Sequence, residues 1–78
     1  MNNFTLQELF TIAIRNNYIN DTFNRSIATF HHAANKKIMT AEQMFNGIHI
    51  TIIENNTGSI IRAEHAHSEA NAILLMEL

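Results

Sequence analysis

The sequence predicts an α+β fold in which two to three N-terminal helices pack on a β-hairpin and a C-terminal helix, or a third strand, completes the core. Apolar residues recur at helical spacing in the first half of the chain. Two isoleucine-rich segments flank the turn-forming sequence NNTG. The 78 residues contain no repeat, proline-rich boundary or low-complexity linker. We therefore treat residues 1–78 as a single small domain.

The first predicted helix begins with a capping box. Thr5 is its N-cap and Glu8, three residues later, is the reciprocal partner. The pattern ends at residues 16–17. The apolar residues with the spacing of one helix face are Leu6, Leu9, Phe10, Ala13 and Ile14.

A second, longer helix is predicted to start at Asn20 or Asp21 and to continue to about Ile38. Its apolar positions are Phe23, Ile27, Phe30 and Ala34. Cationic and histidine side chains in its second half complement the negative end of the helix dipole. They are His31, His32, Lys36 and Lys37.

A third, short helix is predicted over residues 41–46. Thr40 caps it, Gln43 completes a second capping box, and Gly47 follows as a left-handed C-terminal residue.

Residues 48–66 are predicted to form the hairpin, with Ile52 opposite Ile61 and Ile50 opposite Ala63 unless a bulge at Gly58 shifts this register. The other face then sets His49 opposite Glu64 and is the side expected to meet solvent or a partner. Beyond it, Ser68 can cap a C-terminal helix, although the last ten residues also fit a strand.

The composition excludes several classes of protein. The chain has no cysteine, two glycines and one aspartate, so it lacks the usual nucleophile and nucleotide-binding motifs. We expect no enzymatic activity and no cofactor. No apolar run approaches the roughly 18 residues of a membrane span, and the N-terminal ten residues lack the basic start of a signal peptide. We therefore expect a cytoplasmic protein with no membrane partner.

The function predicted is that of a small non-catalytic interaction protein, which regulates or inhibits a larger macromolecule by binding its surface. The partner is expected to be another protein, and a homodimer is expected because a lone hairpin leaves two open edges. Eleven asparagines are typical of accessory proteins of phages and mobile elements, including inhibitors of host defence. The predicted partner-binding residues are His31, Lys36, Lys37, His49, Thr51, Ile53, Ile60, Arg62 and Glu64.

Two alternatives remain open. Helices followed by a hairpin resemble winged-helix modules, and the HHAANKK segment clusters cations that could contact DNA, although five basic residues are few for this role. His65 and His67, two apart on a strand, could bind a metal ion if a third ligand joined them. The pair of His49 and Glu64 could also make a dimer sensitive to mild acid.

Overall fold

The computed structural model describes residues 4–78. It has a helix at each end of the chain, and the residues between them form a five-stranded antiparallel sheet. Residues 1–3, the start of the segment considered for a signal peptide, lie outside the described part. The strands neighbour one another in chain order. The elements are α1 (Leu6–Arg15), β1 (Tyr18–Phe23), β2 (Ile27–His32), β3 (Lys37–Met44), β4 (Gly47–Glu54), β5 (Ile60–Ala66) and α2 (Glu69–Met76).

The predicted arrangement of helices on a hairpin is wrong, because the five strands contain about twice as many residues as the two helices. The predicted second helix is divided between β1 and β2, and the predicted third helix lies in β3. In β2, Ala28 and Phe30 are fully buried while Ile27 is exposed and Thr29 half-buried. This alternation has the period of a strand. It matches a core that lies on one side of the sheet only.

The predicted start of α1 is confirmed. The Glu8 N–H donates to Thr5 Oγ1 at 3.3 Å, and the Thr5 N–H donates to Glu8 Oε1 at 3.0 Å. Asn16 is the C-cap, and Asn17 adopts a left-handed conformation with φ 68°. That conformation, which asparagine tolerates well, ends the helix and directs the chain into β1.

Both helices pack on the same side of the sheet, where α1 contacts β1 and β3 and α2 contacts β4 and β5. Neither helix is long and apolar enough to cross a membrane. The core lies between the helices and this side of the sheet. Its largest fully buried side chains are Leu9, Phe30, Met39, Ile48, Ile50 and Ile52.

The predicted hairpin is confirmed as β4 and β5, but its predicted register is wrong. Ile50 lies opposite Glu64 instead of Ala63, and Ile52 lies opposite Arg62. The register shifts between Ile52 and Ile53, so β5 contains one additional residue near its start. Because of this additional residue, every later side chain of β5 lies on the face opposite to the predicted one.

The predicted C-terminal helix is present as α2. The Ser68 hydroxyl accepts a 3.4 Å hydrogen bond from the Asn71 N–H. Ala72, Leu75 and Met76 carry the buried side of the helix. The strand that the same residues could have formed is therefore excluded.

Candidate interaction surface

The side of the sheet that faces away from α1 and α2 is covered by no element among residues 4–78, and we call it the open face. Cross-strand neighbours arrange its side chains in rows. The central row consists of four threonines and ends at an alanine. Its members are Thr22, Thr29, Thr40, Thr51 and Ala63.

Two further rows flank the threonines. On one side lie Ile19, His31, Ile38, Ile53 and Ile60. On the other side lie Ile27, Glu42, His49 and His65. Ile60 is 65% exposed and Ile19 is 47% exposed. The open face therefore presents β-branched apolar side chains to solvent across all five strands.

Polar contacts within the open face leave it weakly charged. Thr22 Oγ1 and Thr29 Oγ1 lie 2.7 Å apart and share a hydrogen bond. Asp21, the additional residue where β1 shifts register, places its carboxylate 2.8 Å from His31 Nδ1. No lysine or arginine lies in the three rows, and Glu42 forms no ion pair with the described residues. The net character is apolar with a slight acidic bias.

The structure separates the predicted partner-binding residues into two groups. Five of them lie on the open face: His31, His49, Thr51, Ile53 and Ile60. The other four lie elsewhere.

Arg62 and Glu64 are turned to the helix side of β5, where Arg62 Nη1 lies 2.7 Å from Glu64 Oε2. Lys36 lies in the turn before β3, and Lys37 starts β3 opposite Glu54. The helix that was expected to carry both lysines does not exist.

The histidine predictions change with the register. His49 lies opposite His65 and not opposite Glu64, so the predicted acid-sensitive pair is not formed. His65 Nε2 lies 3.3 Å and His67 Nδ1 3.2 Å from the Asn46 carbonyl oxygen, and the two rings are 4.5 Å apart. Both imidazoles can donate to this one oxygen. Within residues 4–78, no three His, Cys, Asp or Glu side chains are grouped so that they could hold a metal ion.

On the part of the open face that belongs to β1, β2 and β3, the sequence predicted only His31. The missed residues include Ile19, Thr29, Ile38 and Thr40. Their signal is the alternation of β-branched residues with buried ones in SIATF and KIMTA. The helical spacing of Phe23, Ile27, Phe30 and Ala34 obscured it.

A groove of about 470 Å³ separates β5 from α2 on the helix side of the sheet. Its walls include Arg62 and Glu64 from the strand and Leu74 and Leu78 from the end of the chain. Leu74 is 65% exposed. The groove therefore lies beside the outer edge of β5 and combines one ion pair with exposed leucines.

No protein-family model, curated protein or solved structure matches this chain. The functional argument therefore depends on the surfaces described above, and above all on the open face.

Proposed function

We propose that the protein is a small non-catalytic binding protein, located in the cytoplasm, that attaches to a larger protein through its open face and thereby regulates or inhibits it. The observation that carries this proposal is the uncovered five-stranded face with its exposed isoleucines. The asparagine-rich composition supports an accessory protein of a phage or mobile element.

Exposed apolar side chains favour a protein partner. Solitary exposed apolar residues are ordinary, but a contiguous apolar patch typically marks an interaction site. Ile38, Ile53 and Ile60 form such a patch across β3, β4 and β5, and His31 on β2 separates it from Ile19 at the other edge of the sheet. Depletion of charged residues at the centre of the patch is also typical of protein interfaces.

Charge disfavours a nucleic acid on this face. Binding to DNA depends on lysine and arginine side chains that neutralise phosphates. The open face has neither, and Glu42 would repel a phosphate. The predicted winged-helix arrangement is also lost, because the segment that should form its later helices is sheet. The partner surface we expect is flat and apolar, with a basic group opposite Glu42.

Two variants with the same substitution test this proposal. Thr40→Arg places a cation in the centre of the open face, on the middle strand of the sheet. Thr11→Arg makes the same change on the exposed side of α1. Each tagged variant is used to capture proteins from the source cells, and bound proteins are quantified by mass spectrometry.

A partner that uses the open face is expected with the wild type and with Thr11→Arg, and lost with Thr40→Arg. Circular dichroism checks that both variants are folded. If every captured protein binds the Thr40→Arg variant as strongly as it binds the Thr11→Arg variant, the open face is not the binding surface and the proposal is wrong.

A further inference from the structure

The outer edge of β5 is free of strand partners among the described residues. β5 pairs with β4 on one side only, and it is the last strand of the sheet. Its outward N–H and C=O groups therefore form a template for another strand. The opposite edge, β1, is less suitable because its register is interrupted at Asp21, in the middle of the strand, whereas the irregularity of β5 lies next to its first residue.

We propose that this edge binds a second copy of the chain, with two β5 strands pairing antiparallel about a twofold axis at Ala63. Residues equally distant from Ala63 then lie opposite one another. Arg62, which lies 2.7 Å from Glu64 of its own chain, then also lies opposite Glu64 of the other copy. The two arginines and two glutamates therefore form one network of opposite charges across the shared edge. The arrangement is isologous, as in most dimers.

The charges favour this register over its neighbours. In each symmetric register the twofold axis passes through one residue of β5. Because the outward-pointing backbone groups alternate along a strand, neighbouring symmetric registers have their axes one residue apart. A centre at Arg62 sets two arginines opposite each other, and a centre at Glu64 sets two glutamates opposite each other. Like charges in directly opposite positions are destabilising. Charges on an edge commonly discourage pairing, but this pair favours the register centred at Ala63 over the two registers centred one residue away.

The same register also fits the regular part of the strand. A centre at Ala63 pairs Arg62, Ala63 and Glu64 of one copy with Glu64, Ala63 and Arg62 of the other. The irregularity near Ile61 falls outside these three central pairs. The central pairs therefore join two regular stretches of strand.

The helix side of the dimer gains apolar contacts. A twofold axis perpendicular to the sheet keeps both copies of α2 on one side of the joined sheet. Leu74 and Leu78 are four residues apart, lie on one side of the chain end and line the groove beside β5. Pairing brings the leucines of both copies to the shared edge, where their exposed surface can be buried.

The pairing also joins the two open faces into one. From strand spacing and rise, one face measures roughly 20 by 24 Å, a projection of about 500 Å². A standard interface buries about 800 Å² on each partner. The joined face exceeds that size. The dimer does not depend on the proposed function, since the edge and the open face are separate surfaces.

Disulfide trapping tests the register. The chain has no cysteine, so Ala63→Cys introduces a single thiol. Facing residues of antiparallel strands have Cα atoms roughly 4.5–5.5 Å apart, within the disulfide range of about 4.4–6.8 Å. Mild oxidation should link Ala63→Cys into dimers rapidly. The control Ala70→Cys, at an exposed alanine of α2, should link slowly. Equal rates for the two variants would overturn the proposal.

Charge reversal tests the ion pairs by light scattering behind a sizing column. Arg62→Glu and Glu64→Arg each create two like-charge pairs, and each should raise the dimer Kd about tenfold. The double variant restores opposite charges and should restore the wild-type Kd. A monomeric wild type, or a double variant as weak as the single ones, would overturn the proposal. So would a monomer whose β5 edge binds only unrelated peptide strands. None of these results changes the expected loss of partner capture by Thr40→Arg, so failure of the dimer and failure of the proposed function are distinguishable.

Discussion

Gln43 Oε1 accepts a 2.9 Å hydrogen bond from the backbone N–H of Leu6, which is 37 residues away in the chain. The Gln43 amide also donates to the carbonyls of Phe4 at 3.1 Å and Gly47 at 3.0 Å. A side chain of β3 therefore supplies a hydrogen-bond acceptor to the first turn of α1, where backbone N–H groups lack partners within the helix. The contact fixes the helix to the sheet.

Gln43→Leu should destabilise the protein by about 1–3 kcal/mol, because it leaves a partly buried N–H and two carbonyls without their partner. Urea denaturation measures the change in the free energy of unfolding. The control Gln7→Leu, at an exposed position on α1, should change it by less than about 0.5 kcal/mol. Equal effects would show that the Gln43 contacts contribute nothing specific.

Gly47→Ala should be more destabilising than Gly58→Ala. Both glycines have positive φ values, +147° and +75°, which penalise any side chain. At Gly47 an added Cβ would also lie 2.5 Å from the Ala66 carbonyl oxygen, whereas at Gly58 nothing lies within 4 Å. The close approach should add about 1–3 kcal/mol to the loss at Gly47. Thermal melting of the two variants makes the comparison, and similar losses would contradict the close packing of β4 on β5.

Tyr18→Phe should leave the stability at neutral pH unchanged or raise it. The ring is 2% exposed, and its hydroxyl makes no hydrogen bond within the described residues. Removing an unsatisfied buried hydroxyl relieves a penalty of about 1–3 kcal/mol. A clear loss of stability on urea denaturation would indicate a hydrogen bond that these residues do not provide.

The same residue predicts a loss of stability in alkali. Burial raises the pKa of Tyr18 above its ordinary value of 10.0. Above pH 10 the unfolded chain therefore loses the phenolic proton first, so the free energy of unfolding falls as pH rises. Tyr18 is the single tyrosine, which allows its ionisation to be followed by ultraviolet absorbance. This decrease in the free energy of unfolding should be absent from the Tyr18→Phe variant. If the variant shows the same decrease, groups other than Tyr18 cause it.

Glu54 should titrate below the ordinary pKa of a glutamate. Its carboxylate accepts hydrogen bonds from the N–H groups of Asn56 at 3.2 Å and Thr57 at 2.9 Å, and these lower its pKa from 4.5. The stability it contributes is present above pH 4.5 and is lost as pH falls through the lowered pKa. Carboxyl chemical shifts in NMR measure this directly. A pKa of 4.5 for Glu54 would show that the turn does not hold the carboxylate.

Local signals in the sequence predicted the elements that depend on local contacts. Thr5 and Glu8 are three residues apart and cap α1 without help from the rest of the chain. Ser68 does the same for α2, and NNTG specifies the β4–β5 turn. Each of these devices is complete within about five residues.

The strands of residues 18–44 depend instead on distant pairing. Phe23, Ile27 and Phe30 have helical spacing, but Ala28 and Phe30 are buried together only because β2 lies between β1 and β3. Tertiary pairing therefore overrides the helical pattern. The same error hid Thr29 and Thr40 on the open face.

Apart from His31 on β2, the candidate surface was predicted only where the hairpin was predicted. His49, Thr51 and Ile53 belong to β4, whose alternation is unambiguous. Arg62 and Glu64 were placed on the wrong face because one additional residue in β5 reverses every side chain that follows. No local pattern in the sequence marks that position.

The most direct test of the open face as a binding surface is an NMR titration of isoleucine methyl-labelled protein with the partner captured by the wild type. The account predicts that the methyl signals of Ile38 and Ile53 shift or broaden, while that of Ile14, exposed on α1 at the other side of the molecule, does not. A response at Ile14 with none at Ile38 and Ile53 would place the partner on the helices and contradict the account.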